Sequence, residues 1–103
     1  MNESEFHQRI DAMLLAIEEA IDESGSDLDY ENAAGILTLT LENGSQIIIN
    51  RQTPIKQLWL AARNGGYHFD WNGENWVADR DGAEFIAVLN RSLLEQGGEA
   101  LEL

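Results

Sequence analysis

The sequence predicts an α+β fold: a two-layer sandwich in which an N-terminal and a C-terminal helix pack on one face of an antiparallel sheet of about six strands. Three observations carry this. Residues 4–23 repeat apolar side chains every three or four positions, residues 27–79 hold short β-rich runs separated by turn residues, and residues 83–96 return to the helical period. Consecutive runs joined by short turns pair antiparallel, and two terminal helices cover one sheet face and leave the other partly open. Residues 1–103 read as a single domain.

The first helix is expected over residues 4–23, with Ser4 as N-cap and Gly25 as stop. Phe6, Ile10, Met13, Leu14, Ile17 and Ile21 form its apolar stripe. "DLDYE" (27–31) alternates, so Leu28 and Tyr30 face inward while Asp27, Asp29 and Glu31 face outward. "GILTLTLENGSQIIIN" is a hairpin signature, two β-rich runs about Asn43-Gly44. "IKQLWLAA" follows Pro54 as a strand, "NGG" (64–66) turns the chain, and "YHFDW" (67–71) and "WVAD" (76–79) are further strands. The second helix is expected from about Ala83 to Gln96, with Asp81 near its start. Phe85, Ile86, Leu89 and Leu93 form its apolar face, and Gly97-Gly98 ends it. The final "EALEL" is left open between packing and fraying.

Composition narrows the function classes. A net charge of −13, from 19 acids and 6 Lys and Arg, leaves no basic patch for nucleic acid. The absence of Cys excludes thiolate catalysis and cysteine-ligated metal clusters. The start, "MNESEFHQRI", does not read as a secretory signal, and no apolar run approaches membrane-spanning length. A cytoplasmic protein, with no membrane partner, is the expectation. The two histidines, His7 and His68, supply no recognisable catalytic constellation.

The charge is concentrated. "IEEAIDESGSDLDYE" (17–31) holds seven carboxylates and no Lys, Arg or His. Glu18 with Asp22 and Glu19 with Glu23 are like-charge pairs four apart, at a helix end where the dipole prefers cations. On a helical wheel His7, Asp11, Glu18 and Asp22 run beside the apolar stripe, with Glu19 and Glu23 further round. If the next strand is an edge strand beside the helix, Asp27, Asp29 and Glu31 join them in one ridge. One reading is a solvated face plus a strand edge charged against aggregation. The other is a site for hard cations or a basic partner, because carboxylate oxygens suit such ions. The stretch fails the EF-hand spacing, which argues for weak binding at several sites. On this basis, lysine at Glu19 or Asp22 is expected to stabilise the fold.

On the sheet face away from the helices, alternation places Asn50, Gln52 and Trp59, with His68 from "YHFDW". "NRQTPIKQLWLA" followed by "GGYHFDW" resembles the signature region of the frataxin family. The bacterial branch is similar also in "SEFH" and "ENGSQIIINRQ", and the resemblance spans essentially the whole chain. It implies the α-β sandwich and weak binding of Fe2+ and Fe3+. The implied metal positions are Glu18, Glu19, Asp22, Glu23, Asp27, Asp29 and Glu31, with His7 and Asp11 as additional candidates. It also implies a role in iron–sulfur cluster assembly as an iron-sensitive regulator of the cysteine desulfurase and its scaffold protein, or as an iron donor. The implied partner contacts are Asn50, Gln52, Leu58, Trp59 and His68; at His68 the eukaryotic members carry a basic residue. A monomer is expected, with iron-driven oligomers open. A ferroxidase and an acidic module for a basic protein are the alternatives.

Overall fold

The computed structural model describes all of residues 1–103. Helix α1 spans Glu3–Ser24, strands β1 to β6 span Asp29–Ala33, Ile36–Thr40, Gln46–Gln52, Gln57–Ala62, Gly65–Trp71 and Trp76–Ala78, and helix α2 spans Phe85–Glu95. The six strands form one antiparallel meander in chain order, so β1 and β6 are its edges. No helix is long and apolar enough to cross a membrane.

One face of the sheet is buried. Leu37 and Leu39, Ile47 and Ile49, Leu58 and Leu60, Tyr67 and Phe69, and Trp76 and Ala78 alternate along successive strands. They meet Phe6, Ile10, Leu14, Ile17 and Ile21 of α1 and Phe85, Val88, Leu89 and Leu93 of α2 in a single cluster. Residues between them, among them Thr38, Ile48, Asn50 and Trp59, look out from the uncovered face. Period two in the strands and period 3.6 in the helices therefore converge on one core.

Element ends depart from the sequence expectation for local reasons. The N-cap is Asn2, not Ser4: its side chain accepts from the Glu5 backbone N–H at 2.8 Å. β1 begins two residues later than expected, at Asp29. Ile55 lies in a 3-10 turn, Thr53–Ile55, closed by Lys56 in the left-handed region, so β4 starts only at Gln57. β5 starts at Gly65, which pairs with Ala62, so the turn is Arg63-Asn64. α2 starts at Phe85; Asp81 instead accepts the Ala83 N–H in the preceding loop.

The two hairpins of the β1–β3 region use different turns. Asn43-Gly44 does reverse the chain, but only Gly44 has positive φ, and the loop closes between Leu41 and Ser45 as a three-residue turn. The tight two-residue turn is Ala34-Gly35, with φ of 55° and 78°. Ala34 is an alanine where that turn favours Asn or Gly. Replacing it with glycine, Ala34→Gly, is expected to stabilise the protein by about 1 kcal/mol, because the left-handed region costs an L-residue roughly that much. A raised midpoint in thermal melts checks this; a lowered one contradicts it.

The end of the chain packs rather than frays. Leu101 is buried in the core cluster. Its backbone N–H donates to Asn90 Oδ1 at 2.8 Å, and its carbonyl accepts from Asn90 Nδ2 at 3.1 Å. Gln96, also buried, joins α2 to two turns: its Oε1 accepts from the Arg63 N–H, and its Nε2 donates to Ser45 Oγ.

Candidate functional site

α1 lies along edge strand β1, and the flank singled out by the helical wheel is the one that meets it. Glu18 accepts from Asn32 Nδ2 at 3.0 Å. Asp22 accepts from the Tyr30 hydroxyl, with both carboxylate oxygens at 3.0 Å. Tyr30 and Asn32 pair with Leu39 and Leu37 and so occupy the helix-side face of β1. Glu19 and Glu23 point to solvent with no hydrogen-bond or ionic partner, as do Asp27, Asp29 and Glu31.

The strand acids do not continue the helix acids on one surface. Asp29 and Glu31 pair with Thr40 and Thr38, which places them on the open sheet face. They border a shallow depression there with Thr38, Thr40, Gln46 and Ile48. The ridge therefore wraps around the edge of the sheet, helix carboxylates on one side of the β1 backbone and strand carboxylates on the other. It also extends to acids far from it in the chain. Glu99 and Glu102 of the terminal segment come beside Glu23, and Glu42 and Glu99 come beside Asp27. The docking of Leu101 holds the terminal segment that carries Glu99 and Glu102.

His7 and Asp11, the additional metal candidates, are both engaged by an arginine. Arg51 of β3 reaches both, with Nη2 donating to Asp11 Oδ1 at 2.7 Å and Nη1 2.9 Å from His7 Nδ1. A guanidinium held there repels a cation, and for His7 to accept from it Nδ1 must carry no proton. Arg51 also reaches the Gly35 carbonyl, so it ties the start of α1 to β3 and the β1–β2 turn. Sequence reasoning missed Arg51 because it lies 40 residues from Asp11. No three His, Asp or Glu side chains converge on one point.

The ionisation of Tyr30 is displaced. It is pushed up from its ordinary value of 10.0, first by the hydrogen bond to Asp22, then by burial and by the charges of Asp22 and Glu18. Raising this pKa means the contribution is present below the unfolded value and is lost as pH climbs through the folded one. The same bond separates two substitutions that the sequence treats alike. Glu19→Lys removes a like-charge pair and suits the helix C-terminus, and is expected to stabilise by about 0.3–1 kcal/mol. Asp22→Lys makes the same gain but loses the Tyr30 bond, so its net effect is expected to be near zero. Thermal melts at fixed ionic strength check the pair. A melt in which Asp22→Lys stabilises as much as Glu19→Lys contradicts it.

The open face carries a second constellation. Asn50 pairs with Trp59 and Trp59 with His68 across three strands. The His68 imidazole stacks on the Trp59 indole, with centroids 4.0 Å apart and planes 14° from parallel. Trp59 Nε1 donates to Gln57 Oε1 at 2.9 Å, and Gln57 Nε2 donates to Asp70 Oδ1 at 3.1 Å. His68 Nδ1 lies 3.9 Å from Asp79. A half-buried Trp is thus fixed in orientation on an exposed surface, a placement common in binding sites. Gln52 lies on this face too, paired with Gln57. Leu58 does not. It pairs with Phe69 on the helix side and is fully buried, so its expected role as a partner contact is corrected: strand alternation puts it opposite Trp59.

Comparison with known proteins decides the family. The sequence model of the frataxin-like domain matches residues 1–99. The chain belongs to the frataxin family. The iron–sulfur cluster assembly protein CyaY of Pseudomonas aeruginosa is 50% identical over 104 residues, covering 99% of this chain and 96% of that protein. Among solved structures, frataxin from Psychromonas ingrahamii superposes with a TM-score of 0.92 at 44% identity, over 99% of this chain and 97% of that one. Trimeric frataxin from the yeast Saccharomyces cerevisiae, complexed with ferrous iron, superposes with a TM-score of 0.70 at 28% identity, over 92% and 85%. The two helices on a six-stranded open sheet are the frataxin fold, as the signature residues led one to expect.

Proposed function

We propose that the protein is a non-enzymatic regulator in iron–sulfur cluster assembly that carries weakly held iron on its acidic edge and docks on the cysteine desulfurase and its scaffold protein. The observation that supports it most is the edge itself: seven carboxylates in residues 17–31, with no cationic side chain among them. Two of these accept hydrogen bonds, both from neutral donors, Tyr30 and Asn32. Hard oxygen donors suit Fe2+ and Fe3+ as cargo. Because no three ligands converge, an ion on the edge keeps most of its waters, and binding is weak and salt-dependent. The CyaY relative is named for iron–sulfur cluster assembly, and the yeast relative's structure holds ferrous iron. The proposed metal positions are Glu18, Glu19, Asp22, Glu23, Asp27, Asp29 and Glu31.

The same charge attracts a basic surface of the desulfurase, while the open face offers Trp59 as an anchor beside Asn50, Gln52 and His68. Iron on the edge lowers its negative charge and so weakens docking, which couples the two by linkage. Donation of the iron to the scaffold would use the same surface. The protein acts in the cytoplasm, as a monomer. The test is calorimetric titration of the desulfurase–scaffold complex, with and without Fe2+, under anaerobic conditions at fixed ionic strength. A several-fold weaker affinity with iron is expected. An unchanged affinity overturns the iron-sensing part of the reading.

A further inference from the structure

Three Asn-Gly pairs lie exposed in turns: Asn43-Gly44, Asn64-Gly65 and Asn72-Gly73. Such a pair can modify itself by deamidation. The glycine backbone nitrogen attacks the asparagine side-chain carbonyl carbon, ammonia leaves, and water reopens the cyclic imide to aspartate or isoaspartate. Glycine favours the attack because no side chain shields its nitrogen. The structure must leave the nitrogen and the amide free, and it must stabilise the charge that develops on the side-chain oxygen.

Two of the pairs are locked. The Gly44 N–H donates to the Leu41 carbonyl at 2.8 Å, which occupies the nucleophile. Asn43 Nδ2 donates to the Gln96 carbonyl at 2.7 Å, which holds the leaving group. Asn64 Nδ2 is held in the same way by Glu95 Oε2 at 2.6 Å, and Gly65 is paired with Ala62 across the hairpin.

Asn72-Gly73, in the turn between β5 and β6, is arranged differently. The Gly73 N–H has no hydrogen-bond partner, and neither has Asn72 Nδ2. Asn72 Oδ1 accepts two backbone N–H groups at once, from Glu74 at 2.9 Å and from Asn75 at 2.8 Å. The Asn72 N–H donates to the Asn75 carbonyl at 3.0 Å, so the loop closes around those donors. Gly73 has a φ of 105°, which disfavours any residue with a side chain, so the turn itself calls for glycine after the asparagine.

We propose that Asn72 is a self-modifying site, at which two backbone N–H groups of its own turn act as an oxyanion hole. As the Gly73 nitrogen bonds to Asn72 Cγ, its proton passes to solvent and the carbonyl electron pair moves onto Oδ1, where the Glu74 and Asn75 N–H groups already point. Collapse of that intermediate expels Nδ2, which takes a proton from water and departs as ammonia. Water then adds to the imide and opens it to a carboxyl group. The net change is amide plus water to acid plus ammonia, with no oxidant or reductant. Opened one way, the product is an aspartate whose carboxylate accepts the same two N–H groups. Opened the other way, the backbone runs through the side-chain carbon and the turn loses that geometry. Either product adds a negative charge beside Glu74.

The three pairs serve as each other's controls. The purified protein is aged at mildly alkaline pH, native and unfolded in guanidinium chloride, and its proteolytic peptides are weighed and assayed for isoaspartate. Unfolding takes the N–H groups away from Asn72 Oδ1, and it frees the held groups at the other two pairs. Asn72 is therefore expected to convert about tenfold faster in the native protein than in the unfolded chain, a fraction of the roughly hundredfold that an enzyme draws from one oxyanion donor. Asn43 and Asn64 are expected to convert more slowly native than unfolded. Conversion of Asn72 no faster in the native protein than in the unfolded chain overturns the proposal. So does conversion of Asn43 or Asn64 ahead of Asn72 in the native protein.

Discussion

Leu58→Ala and Trp59→Ala, neighbours on one strand, are expected to have opposite phenotypes. Leu58 is fully buried between the sheet and the helices, paired with Phe69. Its truncation removes transferred apolar surface and leaves a cavity, together costing about 2–5 kcal/mol. A domain of this size has about 5–15 kcal/mol in total, so the variant should melt at a much lower temperature yet dock normally while folded. Trp59 is half-buried on the open face, held by His68 and Gln57. Truncating it should lower stability far less, but a Trp anchor in an interface typically costs about 2 kcal/mol or more, some thirtyfold in affinity for the desulfurase–scaffold complex. Urea melts and calorimetry on the two variants separate the effects. Strong destabilisation by Trp59→Ala, with none by Leu58→Ala, would contradict the assignment of faces.

Removing the terminal anchor is the second large effect. Leu101→Ala is expected to cost about 2–3 kcal/mol, near the lower end for buried leucines because a terminal segment can relax into the space. Asn90→Ala breaks both hydrogen bonds to the Leu101 backbone and is expected to cost about 1–2 kcal/mol. The two should not add, since Asn90 acts by holding Leu101 in place. A double-mutant cycle by urea denaturation checks this; full additivity would mean that the two residues act independently. The variants should also disperse Glu99 and Glu102 from beside Glu23, so the terminal acids become separable from the ridge.

Much of the architecture was legible because local patterns repeat the tertiary arrangement. The apolar period of α1, the alternation in β2 to β5 and the glycines after both helices each name a face or an end. The errors have identifiable causes. Ser4 and Asn2 both suit an N-cap, and only the Asn2 bond to the Glu5 N–H selects between them. Ala34 carries no turn signature, so the tightest hairpin was invisible. Leu58 was assigned to the surface by its place in a signature stretch, although strand alternation alone sets it opposite Trp59.

The acidic edge divides in the same way. The sequence by itself determined that seven carboxylates would crowd one short segment and that one flank of α1 would carry His7, Asp11, Glu18 and Asp22, because helical period and charge are local properties. It also determined that Trp59 and His68 would share a strand face. Only the tertiary structure decided which of these charges stay free. Arg51, brought from β3, takes His7 and Asp11; Tyr30 and Asn32 take Asp22 and Glu18; Leu101 delivers Glu99 and Glu102 to the ridge. Those outcomes depend on pairings between residues far apart in the chain, set by sheet register and by how a helix lies across it, and no window of sequence contains both partners.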